Sequence, residues 1–144
     1  MKWLYRHLYK EEKGFTLVEL MIVIIIIAIL TGIAVPSYLV LRNRARVSAA
    51  RAELMNIATA ISIYEADVEA YPATGLAALT LALEADPVYM DPVPQADDWG
   101  IAYVYLSDGE TYTLASGGVN KAVTTTISTP ADDDIVIIDG QLQQ

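Results

Sequence analysis

The sequence predicts an α+β protein: a long N-terminal α-helix spans a membrane with its first half, and a small C-terminal antiparallel β-sheet packs on its second half. Three observations carry this prediction. Residues 20–41 contain no charged residue and no histidine. Residues 47–71 place apolar side chains on one helical face. Residues 101–115 have the side-chain alternation of two β-strands joined by a turn.

The composition limits the classes of protein to which the chain can belong. Its length of 144 residues favours one domain. After Arg51 the sequence holds fifteen acidic residues and one basic residue, Lys121, so phosphates would be repelled and nucleic acid is not an expected partner. The absence of cysteine excludes a disulfide framework and a thiolate metal site. Since His7 is the only histidine, the sequence predicts no catalytic triad, no zinc enzyme and no cofactor.

Residues 20–41 are long enough to cross a membrane. An apolar helix of about 20 residues spans the ~30 Å hydrocarbon core of a bilayer. A secretory signal peptide is the alternative, but its apolar core is shorter, and Pro36-Ser37-Tyr38-Leu39 does not resemble a cleavage site. Four basic residues flank each end, so the positive-inside rule leaves the orientation open. They are Lys2, Arg6, Lys10 and Lys13 before the span, and Arg42, Arg44, Arg46 and Arg51 after it.

Gly32 and Pro36 interrupt the apolar run near its end. Proline lacks a backbone N–H, and its ring clashes with the carbonyl four residues earlier, which here belongs to Gly32. One interpretation is a simple kink, since both residue types are common in membrane spans. The other is a segment that unwinds when the helix moves from lipid into a protein assembly. Physical chemistry alone favours the kink.

Residues 13–36 resemble the N-termini of type IV pilins and type II secretion pseudopilins. The likeness consists of a short basic leader ending at Gly14, the sequence Phe15-Thr16-Leu17-Val18-Glu19, and an aliphatic run that reaches Pro36. The resemblance implies that a prepilin peptidase cuts after Gly14, which makes residues 1–14 a leader, and that the same enzyme N-methylates Phe15. It also implies that the leader is cytoplasmic and that residues 72–144, the head, are periplasmic.

Glu19 stands at the start of the apolar run. An ionisable residue at the edge of a span is a candidate functional residue, and the positive end of the helix dipole favours a carboxylate there. The resemblance implies that Glu19 pairs with the terminal amine of Phe15 in a neighbouring subunit and thereby sets the register of a filament. Gly32 and Pro36 would then loosen the helix during assembly. The alternative is that Glu19 only caps the helix.

The resemblance implies a structural subunit that polymerises from the inner membrane, since a non-closing head-to-tail contact produces helical filaments. Expected partners are further copies of the chain, minor pilins or pseudopilins, the prepilin peptidase, an inner-membrane assembly platform and lipid. The filament is periplasmic if the chain serves type II secretion. It is on the cell surface if the chain forms a pilus for adhesion, motility or DNA uptake. A membrane-anchored binding domain that never polymerises is the alternative from another class, and it would not need Gly14, Phe15 and Glu19.

The helix is predicted to continue to Tyr71, because no proline occurs between Pro36 and Pro72. Apolar residues recur at spacings of three and four along one face. They are Val47, Ala50, Leu54, Ile57, Ile61, Tyr64, Val68 and Tyr71. A coiled coil would use such a stripe, but packing on the chain's own sheet is the prediction here. The four arginines after the span are expected to bind lipid headgroups, and contact with the acidic head of another subunit is the alternative.

The head is predicted to contain a short helical stretch, a proline-rich irregular segment and a small antiparallel sheet. Residues 101–106 alternate as a strand does, and Asp108-Gly109 is a preferred pair for a two-residue hairpin turn, with residues 111–115 as the returning strand. This register places Tyr105 opposite Tyr112. Further strands are predicted at residues 123–128 and 135–138.

The head also resembles, more loosely, that of the major pseudopilins of type II secretion. "YPATGLAAL" and "DDWGIAY" correspond to stretches that this family carries after its helix and at the start of its hairpin, although Asp98 and Ala102 stand where the family has proline. The family continues into a Gly- and Asp-rich calcium loop, which is not recognisable here. Candidate Ca²⁺ ligands are Asp132, Asp133, Asp134 and Asp139. Their spacing is unlike that of an EF-hand loop, so an acidic surface turn is the favoured interpretation.

Overall fold

A computed structural model of the protein describes residues 14–123 and 134–143. The chain divides into two compact units between Val40 and Leu41. Helix α1 (Leu17–Val68) contributes its first part to the first unit and its remainder to the second. Within its described residues, the second unit also contains helix α2 (Leu76–Glu84), a one-turn 3₁₀ helix (Gly118–Asn120) and four strands. The predicted α+β class is therefore confirmed.

Helix α1 ends at Val68, three residues before the predicted end at Tyr71. Its last turn closes with the Glu69 N–H donating to the Glu65 carbonyl at 2.8 Å. Glu69 itself has a φ of 61°, a left-handed conformation that terminates helices. The Tyr71 N–H donates instead to the Gly109 carbonyl at 3.1 Å. A hydrogen bond to the distant hairpin thus replaces the last helical turn that periodicity predicted.

The predicted stripe of α1 forms the core of the second unit. Ala50, Leu54, Ile57 and Ile61 are each at most 1% exposed, and they pack in one cluster with side chains from α2 and the sheet. Val47, Tyr64 and Tyr71 lie partly buried at the edge of that cluster, whereas Val68 is 48% exposed. Packing on the chain's own head is therefore the role of the stripe from Ala50 to Ile61.

The sheet is antiparallel throughout and has the order β1-β2-β3-β4. The strands are β1 (Val104–Ser107), β2 (Tyr112–Ser116), β3 (Ile135–Ile138) and β4 (Gln141–Gln143). The prediction of a strand at residues 135–138 is confirmed. Val123 lies outside any strand, and the rest of the predicted strand at 123–128 lies outside the described residues.

The predicted two-residue turn at Asp108-Gly109 is wrong. Ser107 pairs with Tyr112, so residues 108–111 form a four-residue loop, and Tyr105 stands opposite Leu114. The Asp108 carboxylate causes the longer loop, because its Oδ1 accepts hydrogen bonds from the backbone N–H groups of Glu110 (3.0 Å) and Thr111 (2.8 Å). Tyr105 and Tyr112 still touch as diagonal neighbours, with ring centroids 6.0 Å apart.

A two-residue Asp-Gly turn does occur, but at Asp139-Gly140. Ile138 pairs with Gln141 across it. Asp139 and Gly140 have φ values of 46° and 77°, the two positive values that a type I′ hairpin turn requires. The sequence reasoning missed β4, although the same dipeptide that predicted the first hairpin also marks this one.

Candidate assembly site

The start of α1 is a reciprocal capping box formed by Thr16 and Glu19. The Glu19 Oε2 accepts hydrogen bonds from the Thr16 backbone N–H and from the Thr16 hydroxyl, both at 2.8 Å. The Thr16 Oγ1 in turn accepts the Glu19 backbone N–H at 3.2 Å. A threonine followed three residues later by a glutamate provides this exchange, which satisfies backbone donors that the first helical turn leaves free. Glu19 therefore caps the helix, as the alternative interpretation predicted.

The capping box occupies only one carboxylate oxygen. Within the described residues, Oε2 of Glu19 takes both bonds from Thr16, whereas Oε1 takes none. Phe15 immediately precedes the box, and its side chain is 82% exposed. Capping and a contact with another subunit are therefore compatible roles for the same carboxylate.

The apolar side chains that follow are left uncovered by the part of the chain that the structure describes. Every large apolar residue from Leu17 to Leu41 is between 48% and 75% exposed. The helix is long and apolar enough to cross a membrane, with a mean hydropathy of 2.9 in its most apolar window. Exposure of this much contiguous apolar surface to water is unfavourable, so the segment requires lipid or other protein around it.

Gly32 and Pro36 lie within α1, and the helix continues through both. Pro36 cannot donate to the Gly32 carbonyl, which therefore lacks its usual intrahelical donor. One residue further along, the Ser37 hydroxyl donates to the Ile33 carbonyl at 3.1 Å, a type of bond that often bends helices. The pair lies about 20–26 Å along the axis from Glu19 at 1.5 Å per residue. The predicted assembly residues thus form two separate places on one helix.

The motif "DDWG" contains a buried carboxylate whose structural role the sequence reasoning missed. Asp97 is 6% exposed. Its Oδ1 accepts the backbone N–H groups of Trp99 (3.0 Å) and Ile101 (2.9 Å), and its Oδ2 accepts the Ser116 hydroxyl at 2.7 Å. These bonds fasten the loop before β1 to the end of β2. The signal was the Asp-x-x-Gly spacing of Asp97 and Gly100, where the glycine has a φ of 79°.

Two of the four candidate calcium ligands, Asp134 and Asp139, lie within the described residues. Asp132 and Asp133 lie outside the described residues. Asp139 is already engaged, since its Oδ1 accepts the Tyr112 N–H at 2.8 Å while its own N–H donates to the Tyr112 carbonyl at 3.2 Å. No group of three or more histidine or acidic residues suited to a metal ion occurs in residues 14–123 and 134–143, Asp134 included. Calcium binding by the four aspartates therefore stays a prediction.

Comparison with known proteins gives separate family matches for the N-terminal part of the chain and for the rest. Residues 9–35 match the family model of the prokaryotic N-terminal methylation motif, and residues 38–136 match that of type II secretion system protein G. A type II secretion system core protein G from Pseudomonas aeruginosa is 33% identical over 124 residues, which cover 76% of this chain and 87% of that protein. Proteins of the same name from Escherichia coli and Vibrio cholerae are also 33% identical, over 75% and 73% of this chain and 82% and 77% of their own lengths. No solved structure gives a significant match.

Proposed function

The chain belongs to the type II secretion system protein G family, and we propose that it is the major pseudopilin of such a system, a structural subunit that polymerises into a short filament. The observation that carries the proposal is the uncovered apolar part of α1, residues 17–41. Such a surface suits two environments in turn, the bilayer before assembly and the packed helices of a filament afterwards.

Processing would prepare the subunit for this exchange. A prepilin peptidase would cut between Gly14 and Phe15 and methylate the new terminal amine of Phe15. The leader is then cytoplasmic and the head periplasmic, with the chain crossing the inner membrane once. Further partners are other copies of the chain, minor pseudopilins and an inner-membrane assembly platform. The function is structural and not enzymatic, and no step of it is assigned to a metal ion.

The Phe15 amine of one subunit would pair with Glu19 of its neighbour. The capping bonds on Oε2 support this arrangement because they hold the carboxylate in one place while Oε1 keeps its acceptor capacity. An ion pair in a low-dielectric surrounding is stronger than one in water, and it penalises registers that leave either charge unpaired. The pairing would therefore fix the axial position at which each new subunit stops.

Intact and N-terminal mass spectrometry of the membrane fraction and of sheared filaments tests the processing. The expected mature chain begins at methylated Phe15 in both fractions. A chain that retains residues 1–14 in every fraction would contradict processing and, with it, polymerisation through a free Phe15 amine.

Three substitutions separate the pairing role of Glu19 from its capping role. Glu19→Gln keeps a side-chain oxygen that can cap the helix but removes the charge. Glu19→Gln and Glu19→Ala are each expected to lower filament yield at least tenfold, because each leaves the charged Phe15 amine without its partner. Thr16→Val removes the hydroxyl of the cap and keeps the charge, so it is expected to leave filament yield within about twofold. Normal filaments from Glu19→Gln would refute the pairing.

A further inference from the structure

Four arginines follow the apolar segment on α1, and together they form what we call the arginine collar. Its members are Arg42, Arg44, Arg46 and Arg51. Arg42, Arg44 and Arg51 are exposed and Arg46 is partly buried. No carboxylate of residues 14–123 or 134–143 forms an ion pair with any of them. The collar is thus a positively charged helix surface without an ion-pair partner among the described residues.

An acidic surface lies further along the same compact unit, and we call it the acidic corner. It consists of Asp67, Glu69, Asp86 and Asp91, all exposed. Tyr89 links the segment after α2 to the end of α1. Its hydroxyl donates to Asp67 Oδ2 at 3.1 Å, and its ring packs edge-on against that of Tyr64 with centroids 5.3 Å apart. Asp86 and Asp91 are three and two residues from Tyr89, so they lie within about 11 Å of it along the chain.

The potential at this corner is negative. Beyond Arg51 the sequence offers only Lys121 to balance fifteen acidic residues. Desolvation, followed by the hydrogen bond to Asp67 and the charge of that carboxylate, raises the pKa of Tyr89 above its ordinary value. The collar and the corner therefore carry opposite charge within one unit, without neutralising each other there.

The distance along α1 separates the two surfaces within one chain. Arg46 and Asp67 are 21 residues apart, or about 32 Å at 1.5 Å per residue. Their charges are beyond the Debye length of about 8 Å at physiological ionic strength. Along α1, Asp67 lies about 24 Å from Arg51 and about 38 Å from Arg42. A second copy displaced by a distance in this range along the helix axis would place its acidic corner beside the collar of the first.

Lipid headgroups match the collar less well. The headgroup layer on each side of a bilayer is only about 5–8 Å thick, whereas the collar extends about 14 Å along α1 from Arg42 to Arg51. Arg51 lies about 15 Å beyond Leu41, the last residue of the apolar run. The membrane can therefore bind the first arginines but not the whole collar.

We propose that the arginine collar of one subunit binds the acidic corner of a second copy of this chain, displaced by about 30 Å along the filament axis. This inference rests on the proposed polymerisation and adds to it a second, electrostatic contact, distinct from the pairing at Glu19. Opposite charges at a fixed spacing select one register and disfavour others by like-charge repulsion.

Cross-linking tests the contact directly, because the chain contains no cysteine. A full-length Arg46→Cys/Asp67→Cys variant cannot form an intramolecular disulfide, since its two Cα atoms are about 32 Å apart and a disulfide needs less than about 7 Å. Arg46→Cys leaves three arginines in the collar, and Asp67→Cys leaves three carboxylates in the corner. Mild oxidation of filaments is expected to give covalent multimers. The same pair with Glu19→Gln should give at least tenfold fewer multimers, and an Arg46→Cys/Gln141→Cys pair should give none.

Charge reversal provides the second test. Arg46→Glu alone and Asp67→Arg alone are each expected to lower the filament fraction about tenfold by placing like charges together. The double variant should recover most of it. A loss that the double variant does not restore, with an equal loss of binding to phosphatidylglycerol vesicles, would assign the collar to lipid and overturn the proposal.

The remaining outcomes separate this inference from the proposed function. Suppose that the unmodified chain and Arg46→Glu form equal amounts of filament, and that Arg46→Cys/Asp67→Cys filaments give no cross-links. The collar contact is then wrong, and the proposed polymerisation stands. If the unmodified chain forms no filament, both proposals fail together. If the Arg46→Cys/Gln141→Cys control gives as many covalent multimers as Arg46→Cys/Asp67→Cys, the cross-links report random collisions and not a defined contact. That result would also overturn the inference.

Discussion

Tyr105 and Tyr112 show how two adjacent, equally buried side chains can differ in their polar contacts. Both are at most 2% exposed. The Tyr105 hydroxyl donates to the Pro72 carbonyl at 3.1 Å and so fastens the end of the helical region to the hairpin. The Tyr112 hydroxyl has no hydrogen-bond partner among the described residues, although its ring packs edge-on against Tyr71 at 4.9 Å. Ring packing holds one tyrosine, and packing plus a hydrogen bond holds the other.

This difference predicts unequal effects of removing each hydroxyl. Tyr105→Phe leaves the buried Pro72 carbonyl without its donor and is expected to lower the free energy of unfolding by about 1–2 kcal/mol. Tyr112→Phe removes a buried unsatisfied group, so the change should lie within about 0.5 kcal/mol of zero or be stabilising. Thermal unfolding of the full chain in detergent measures both. Equal destabilisation by the two variants would contradict this account.

At the scale of elements, α1 combines two helices with different requirements. Residues 17–41 expose their apolar side chains on all faces, whereas from Ala50 to Ile61 only one face is apolar and buried. Pro36 lies before the change and weakens the backbone bonding of the first part. We therefore expect the helix to yield at Gly32–Pro36 before it yields in the packed second part, because tertiary packing and not propensity supplies most helix stability.

Replacing the proline tests this expectation. Pro36→Ala restores the donor to the Gly32 carbonyl and removes the ring clash, which should stabilise the local helix by about 3 kcal/mol. Amide hydrogen exchange around Gly32 is expected to slow in the detergent-solubilised chain, while filament assembly becomes slower or less complete. Val35→Ala is the matched control and should alter neither by more than about twofold. Unchanged exchange and unchanged assembly would remove the hinge from the mechanism.

At the scale of the whole molecule, the tyrosines of the core connect the stability of the head to alkaline pH. Burial raises the pKa of Tyr105 and that of Tyr112 to about 12. The folded state therefore binds these protons more tightly than the unfolded state, whose tyrosines titrate near pH 10. Stability from this source is complete below about pH 10 and is lost as the pH rises through about 12.

Alkaline titration should show this as a coupled transition. We expect tyrosinate absorbance and loss of sheet signal to rise together between about pH 10 and 12, at a cost on the order of 2–3 kcal/mol for each of the two tyrosines. A variant with Tyr105→Phe and Tyr112→Phe should lose less stability over that interval than the unmodified chain. If both tyrosines titrate near pH 10 while the sheet stays intact, their burial does not control the transition.

The sequence by itself determined the parts of this protein that depend on local pattern. The uncharged run at 20–41 marks the predicted span, and the stripe around Leu54 and Ile57 identifies the buried helix face. Each follows because a helix repeats every 3.6 residues, so spacing alone fixes which side chains share a face. The contact of Tyr105 with Tyr112 also follows in kind, since a shift of two residues in a strand keeps every side chain on its predicted face.

Only the tertiary structure decided where those patterns stop and which of two similar signals is used. Asp-Gly occurs at 108–109 and at 139–140, yet only the second forms the two-residue turn, because the Asp108 carboxylate captures backbone N–H groups of its own loop. Tyr71 leaves the helix for a hydrogen bond to Gly109, 38 residues away in the sequence. Buried Asp97 accepts a hydrogen bond from Ser116 at the end of β2. The contacts of Tyr71 and Asp97 depend on partners distant in sequence, and local spacing carries no information about their energies. The Asp108 loop depends on a competition between local hydrogen bonds, which the Asp-Gly pair alone does not reveal.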